Sequence, residues 1–494
     1  MDIIEQKYWS VYLDFLDDFQ SLYYKEHSIP YLCYYRGLIQ GNKGLMEIYQ
    51  QKGWVSFVRN HVTDVRVVQQ RFDGYKARFQ KKKIRGEKKK LVLYDGYGLL
   101  RLPSSTLLRL NRTFETLYIV DREHSQKKGE KKPKVKSLDE TVLVKRPASM
   151  KKTAESVLPP RYFDEYKVNV HKEVLRLQNE AKAILARKKA AGHPVYAVPY
   201  FEKALMKQID QVVHRVEQIG ALLQREGVGC VIVPYSQYME SRIFSILGAV
   251  HNVPVAALQH GIISDAFGYL PCVTDYKLVF GHYEKHWFLS RGVPEKRIVV
   301  MGHPRFDEVY KAVQTNAARI KQHIGLPIHK KNLLIIVRSN YQMKKWESFL
   351  RSLTLSDSVN LIIKDFPDHT PHYLTKKFPS TFHSKNQALS DLIQLSDAVV
   401  SYHSTAGLEG LMAGKPVFIL NNNFYGYSGY FDSLGRLKQD DPVRLAGLVN
   451  AFLKNGGVSA HDQSLMQSFK QRTYPLGNGA EGRLLSFITG LIKK

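Results

Sequence analysis

Cysteine is nearly absent from this chain: there are three in 494 residues, Cys33, Cys230 and Cys272. Their spacing builds neither a disulfide framework nor a metal pattern, and such thiols suit a reducing cytoplasm. Also missing is any run approaching the ~18 uninterrupted apolar residues of a membrane-spanning helix. The opening stretch MDIIEQKYWSVYLDFLDDFQ is acidic and mixed, without the basic start and apolar centre of a signal peptide. Negative charge is scarce overall. Asp and Glu number 45 against 73 Lys and Arg, for a formal net charge of +28.

A charge of that size draws polyanions: nucleic acid, an anionic lipid surface or an anionic polymer. Much of it sits in FQKKKIRGEKKK (79–90) and SQKKGEKKPKVK (125–136). Neither run interleaves aromatics with its basic residues, and no nucleic-acid-binding module is recognisable. Nucleic acid is therefore disfavoured as a partner. The expected setting is the cytoplasm, with peripheral attachment to the inner face of the cell membrane. A hydrophobic fraction of 44% supplies a sizeable core, and the length predicts two domains with an appendage.

Residues 1–80 read as an aromatic-rich helical extension. Strands are expected in KLVLYDGYG (90–98) and ETLYIVD (115–121), followed by a polar basic loop over 122–140. Helical patterns cover 160–190 and 200–226. A regular rhythm then sets in, with GCVIVPYS (229–236), VPVAALQHG (253–261), YKLVFG (276–281) and RIVVMGHP (297–304). After a linker, GLPIHKKN (325–332), it restarts with NLLIIVRSN (332–340), VNLIIKDFP (359–367), DAVVSYHS (397–404) and KPVFILN (415–421). Short apolar runs alternating with helical segments predict parallel sheets with crossover helices. The expected fold class is α/β: two Rossmann-like domains facing a cleft, with a helical N-terminal extension and a C-terminal helix crossing back. The expected boundaries are 1–80 for the extension and 81–325 for the first domain, with its basic loops. The second domain is expected over 326–445, and returning helices over 446–494.

Ligands of open parallel sheets bind at the carboxyl ends of the strands. In the second unit those ends carry Arg338 and Ser339, Lys364 and Asp365, then Ser401, His403, Ser404 and Thr405. In the first they carry Tyr235 and Ser236, Gln259, His260 and Gly261, then Gly302 and His303. The stretch SYHSTAGLEGLMAGKP (401–416) runs from a buried strand into hydroxyls at a helix start. Free N–H groups and hydroxyls there can hold a phosphate, and Ser and Thr are also ordinary helix caps. Cations and hydroxyls on one side and a His-Gly pair on the other suit a nucleotide diphosphate donor facing an acceptor.

LQHGIIS, VFGHYEKHWFLSRGVPEKRIVVMGHPRFD and LSDAVVSYHSTAGLEGLMAGKPVFIL resemble the bacterial surface-polymer transferases of the GT-B fold. These include the teichoic-acid glycerophosphotransferases that use CDP-glycerol and the capsule-polysaccharide and polysialic-acid transferases. The resemblance spans roughly 228–422. It implies that His260 is a general base or activates the acceptor, in keeping with imidazole chemistry. It implies that Ser404 and Thr405 bind the donor phosphates and Glu409 the donor ribose. Arg338 and Lys364 are further donor-binding candidates, and Gln259, Gly261 and His303 are candidates for the acceptor side or cleft. The family's Lys-x-His-Pro motif reads IIKDFPDH here, with Phe366 in the place of the histidine, Lys364 and Pro367 retained, and His369 two residues on.

No cofactor is expected beyond a nucleotide-activated donor as substrate. The resemblance implies no metal either, since most GT-B enzymes transfer without one, and the lack of a DxD-like acidic pair at a strand end agrees. The expected partners are a nucleotide-sugar or CDP-glycerol-type donor, an anionic polymer or lipid-linked acceptor, and an anionic membrane surface. Three readings remain open. The first is a transferase moving a sugar or glycerol phosphate to a cell-surface polysaccharide or teichoic-acid-like acceptor. The second is a UDP-sugar 2-epimerase, and the third a non-catalytic polyanion-binding protein on a degenerate scaffold.

Overall fold

The computed structural model describes residues 1–50, 57–79, 89–121, 157–310, 317–338, 342–354, 359–365, 372–421 and 427–493. Two separate parallel sheets organise it. The first holds β1 (Lys90–Tyr94), β2 (Thr116–Val120), β3 (Pro160–Tyr162), β4 (Val228–Val233), β5 (Val255–Leu258), β6 (Tyr276–Val279) and β7 (Ile298–Val300). Its spatial order is β3-β2-β1-β4-β5-β6-β7. The second holds β8 (Lys331–Ile336), β9 (Val359–Lys364), β10 (Thr381–His383), β11 (Ala398–Ser401), β12 (Val417–Leu420) and β13 (Lys438–Gln439). Its order is β10-β9-β8-β11-β12-β13. Both run outward in two directions from their first strand, so each has a switch point, between β1 and β4 and between β8 and β11. Crevices at such points are where open α/β sheets take ligands.

The ten strands expected from apolar runs are present. Three more lie at sheet edges, β3, β10 and β13. Their segments PRY, TFH and KQ carry no apolar run, because an edge strand needs less burial and tolerates proline. The helical pattern expected from 160 accordingly begins later, at His171–Ala190.

Strand alternation divides the first domain's core. Val92, Tyr94, Val231 and Val233 point to one face, and Leu91, Leu93, Cys230 and Ile232 to the other. The first face is covered by helix α1 (Ile3–Asp18) with its neighbours and by the long helix α2 (Pro199–Arg225). Trp9, Tyr12 and Phe15 of α1 are fully buried, and Tyr12 stacks on Tyr35 at 4.4 Å. The first eighty residues thus share one core with the first sheet. Tyr12 Oη and the carbonyls of Tyr31 and Cys33 accept from the Arg242 guanidinium, binding the extension to the helix Met239–His251.

The second core gathers both faces of the second sheet with helix α3 (Thr405–Met412) and helix α4 (Ala460–Thr473). Ile320 and Ile324 of the helix Ala317–Ile324 also belong to it, ahead of the 325–331 linker. Helix α5 (Ala480–Ile492) crosses back and lays Leu484, Leu485 and Ile488 on the first sheet's other face. The crossing runs close to the strand ends: Gly302 has φ +74, and a Cβ there would meet Tyr474 Oη at 2.6 Å. Among the described residues no helix is long and apolar enough to cross a membrane.

Candidate functional site

His260 follows the carboxyl end of β5 and is partly open. Its Nδ1 lies 3.1 Å from the carbonyl of Pro234 at the end of β4. A carbonyl only accepts, so Nδ1 carries the proton and Nε2 keeps its lone pair. Burial first, then the positive charges of Arg101, Lys277 and Arg305, push the ring's pKa down to about 3. The imidazole is therefore neutral across the physiological range. Tyr269 lies parallel to it, with ring centres 5.9 Å apart.

The turn after His260 meets the second domain. A Cβ on Gly261 would lie 3.5 Å from Thr405 Oγ1, and the Ile262 amide donates to the same oxygen at 3.4 Å. Tyr269 Oη donates to the Ile262 carbonyl at 2.6 Å, which holds the turn. The N-terminal extension braces the stretch of chain between this turn and β6. Arg36 and Asp265 form a buried ion pair at 3.1 Å, and the Gln69 side chain exchanges hydrogen bonds with the Cys272 backbone.

Ser404 is the N-cap of α3, its hydroxyl accepting from the Ala406 amide at 3.3 Å. Thr405 opens the helix, and Glu409, one turn on, lies on the same face. Burial raises the Glu409 carboxyl, while Arg305 and then Arg101 pull it back. The β8 register sets Ile336 level with both Lys364 and Ser401, so Arg338 emerges between their strands. Its charge acts on Tyr402, whose hydroxyl also meets Ser404. Lys364 Nζ donates to the Gln387 carbonyl at 3.0 Å.

Two candidates are occupied with other work. Gln259 is fully buried: its amide nitrogen donates to the Gly261 carbonyl at 2.8 Å and to Glu284 at 3.2 Å, and its oxygen accepts from the Phe280 amide. It shapes the His260 turn and has no face toward the cleft. His303 is likewise fully buried, its Nδ1 accepting from the Arg305 amide and its Nε2 donating to the Leu100 carbonyl at 3.0 Å. Both ring nitrogens are spent on the protein, so His303 acts as a positioning residue.

The two arginines that His303 positions are not among the candidates that the sequence offers. Arg101 and Arg305 both lie within electrostatic reach of Glu409 and of each other. Desolvation, then Arg101, lowers the Arg305 pKa to about 10. Arg305 stands within GHPRFD at a strand end, a local signal that could have marked it. Arg101 lies seven residues past β1, in a loop that carries no such signal. Ser339, Phe366, Pro367 and His369 lie outside the described residues, as do 125–136 and most of 79–90. Lys90, at the end of the latter run, belongs to β1 and pairs with Glu115 at 2.7 Å and Glu226 at 3.2 Å. Among the described residues no group of three or more His, Cys, Asp or Glu side chains could hold a metal ion.

No protein-family model matches the chain, and no curated protein matches it. Solved structures do. The UDP-GlcNAc 2-epimerase from Neisseria meningitidis bound to UDP-GlcNAc is 12% identical, with 82% of this chain and 100% of that chain covered and a TM-score of 0.50. Another UDP-N-acetylglucosamine 2-epimerase is 11% identical, over 81% of this chain and 95% of that chain, at a TM-score of 0.49. The wall teichoic acid polymerase TagF is 13% identical, over 86% of this chain and 95% of that chain, at a TM-score of 0.44. At such identities the likeness is one of fold, and the two parallel-sheet domains described above have the GT-B arrangement.

Proposed function

We propose that this chain is a transferase that moves a sugar or glycerol phosphate from a nucleotide-activated donor to a cell-surface polysaccharide or teichoic-acid-like acceptor. The observation that carries the reading is the meeting of the His260–Gly261 turn with Thr405 across the two domains. A neutral imidazole with a free Nε2 and a hydroxyl-led helix N-terminus are thereby brought to one place, which is what transfer from a diphosphate needs.

The α3 amides with Ser404 and Thr405 bind the donor phosphates, and Glu409 binds the ribose. Arg338 and Lys364 add positive charge. His260 Nε2 takes the proton of the acceptor hydroxyl as its oxygen bonds to the transferred group, and the nucleotide departs with the bonding electrons. Helix dipole and cations stabilise that departing charge without a metal in this scheme. The net charge of +28 supports work on an anionic polymer or lipid-linked acceptor at the cytoplasmic face of a membrane.

Incubation with labelled UDP-sugars and CDP-glycerol, with and without a surface-polymer acceptor, tests the reading. Acceptor-dependent release of UDP, CDP or CMP with label in the polymer supports it. Acceptor-independent formation of a 2-epimer replaces it with an epimerase. Polyanion binding with no turnover of any donor replaces it with a binding protein.

A further inference from the structure

Arg101 and Arg305 both lie within electrostatic reach of His260, and among the described residues neither forms an ion pair. The Nε and Nη2 of Arg305 are buried without a hydrogen-bond partner, although the side chain as a whole is partly open. Arg101, also partly open, has a left-handed backbone at φ +49, a conformation that a non-glycine residue rarely adopts and that the surrounding structure must hold. Its loop is held by both polar groups of Leu100, whose amide donates to Asp95 at 2.8 Å and whose carbonyl accepts from His303 at 3.0 Å. The other nitrogen of His303 accepts from the Arg305 amide at 3.1 Å, so one buried ring fixes both arginine-bearing segments. Leaving guanidinium nitrogens dry and unpaired is costly unless an anion completes them.

We propose that Arg101 and Arg305 form a two-guanidinium clamp for a phosphate ester carried by the acceptor, next to the hydroxyl that His260 deprotonates. This deepens the transferase reading and rests on it for the word acceptor. Arg101, Arg305 and Lys277 all act on His260, while Glu409 acts on both arginines and Asp95 on Arg101, so the surroundings of the ring are cationic and suit a phosphate monoanion or phosphodiester. Both arginines and His260 come from the first domain, whereas the donor-binding candidates Ser404, Thr405, Glu409, Arg338 and Lys364 come from the second. The clamp is therefore built by the first domain, within electrostatic reach of Glu409 on the second. Its forked donors match phosphate geometry in a way a lysine cannot.

The test is calorimetric titration of glycerol 3-phosphate, with glycerol as the neutral control, into the full chain and into Arg101→Gln and Arg305→Gln. CDP and UDP are titrated in parallel, and thermal melting checks that each variant is folded. Expected is binding of glycerol 3-phosphate but not glycerol, weakened about tenfold or more by either substitution, with CDP and UDP affinities changed less than threefold. Arg101→Lys and Arg305→Lys, which keep the charge, should lose affinity by a smaller factor and serve if a Gln variant does not fold. The clamp is overturned if wild type ignores glycerol 3-phosphate, or if its affinity survives the substitutions. It is also overturned if nucleotide affinity falls instead, which would give both arginines to the donor. Wild type that binds neither CDP nor UDP counts against the transferase reading, while the glycerol 3-phosphate titration still decides the clamp.

Discussion

At the scale of single residues, the His260 tautomer organises the expectations. The Pro234 carbonyl holds the Nδ1 proton, leaving Nε2 as the base. His260→Ala should lower kcat by roughly two to four orders of magnitude, the range for a lost general base, and leave nucleotide affinity nearly unchanged. Because burial and then Arg101, Lys277 and Arg305 push the ring to about 3, kcat/KM of the wild type should show no acid limb at pH 6–7. An inflection near 6.5 that disappears in His260→Ala would contradict that environment. Thr405→Val keeps the size of the side chain and removes its hydroxyl, so nucleotide affinity should fall about tenfold with little change in melting temperature. Ser404→Ala should lower both, since the same hydroxyl caps α3, a role worth about 1 kcal/mol. Titration of UDP and CDP alongside thermal melting separates the two. The candidates His260, Ser404 and Thr405 are legible in the sequence because strand ends and small-residue helix starts are local patterns, whereas Glu409 is singled out only by the resemblance. Arg101 is not legible, because its place depends on a hydrogen bond from His303, about two hundred residues away, to the Leu100 carbonyl.

At the scale of elements, legibility follows burial. Every strand covered on both faces is visible as a continuous apolar run, as in NLLIIV or VPVAAL, whereas edge strands β3, β10 and β13 are not. In the sequence the N-terminal helices read as an aromatic-rich extension. In the structure they share the first domain's core and grip the loop after His260. The Arg36–Asp265 pair shows the strength of that grip, with side chains only 10% and 8% exposed. Arg36→Ala leaves a buried carboxylate without its cation and should cost about 3–5 kcal/mol. Replacing both partners by apolar residues, Arg36→Met with Asp265→Leu, should recover much of that loss. Denaturant melts of the single and the double variant beside the wild type check this. Equal destabilisation of the single and double variants would mean that the loop depends on Asp265 for its hydrogen bond to the Gly268 amide instead.

At the scale of the whole molecule, part of the basic charge lies in runs outside the described residues, and the folded body carries a further electrostatic signature. Among the described residues five histidines are held below their ordinary range, each by burial first: His193 and His403 to about 4, His260 to about 3, and His27 and His303 in the same direction. A histidine whose folded pKa is lowered stabilises the fold fully above its unfolded value, about 6.5, and loses that contribution as pH falls toward the folded value. Three buried carboxyls act oppositely. Burial raises Glu5 and Glu409, and raises Glu284 to about 7, so these gain relative stability as pH falls toward 4.5. The carboxylates held low by ion pairs and hydrogen bonds, such as Asp64, Glu226 and Asp462, lose their contribution only near and below the ordinary carboxyl range. Between pH 6.5 and 5, unfolding therefore takes up protons at the buried histidines and releases them at fewer buried carboxyls. Stability should fall as the solution is acidified, with each net proton worth about 1.4 kcal/mol per pH unit. Guanidinium melts at pH 7.5, 6.5, 5.5 and 5.0 measure the slope. His193→Gln should flatten part of it at a position far from the cleft, and a stability that holds level down to pH 5 would show that the buried rings are already hydrated in solution.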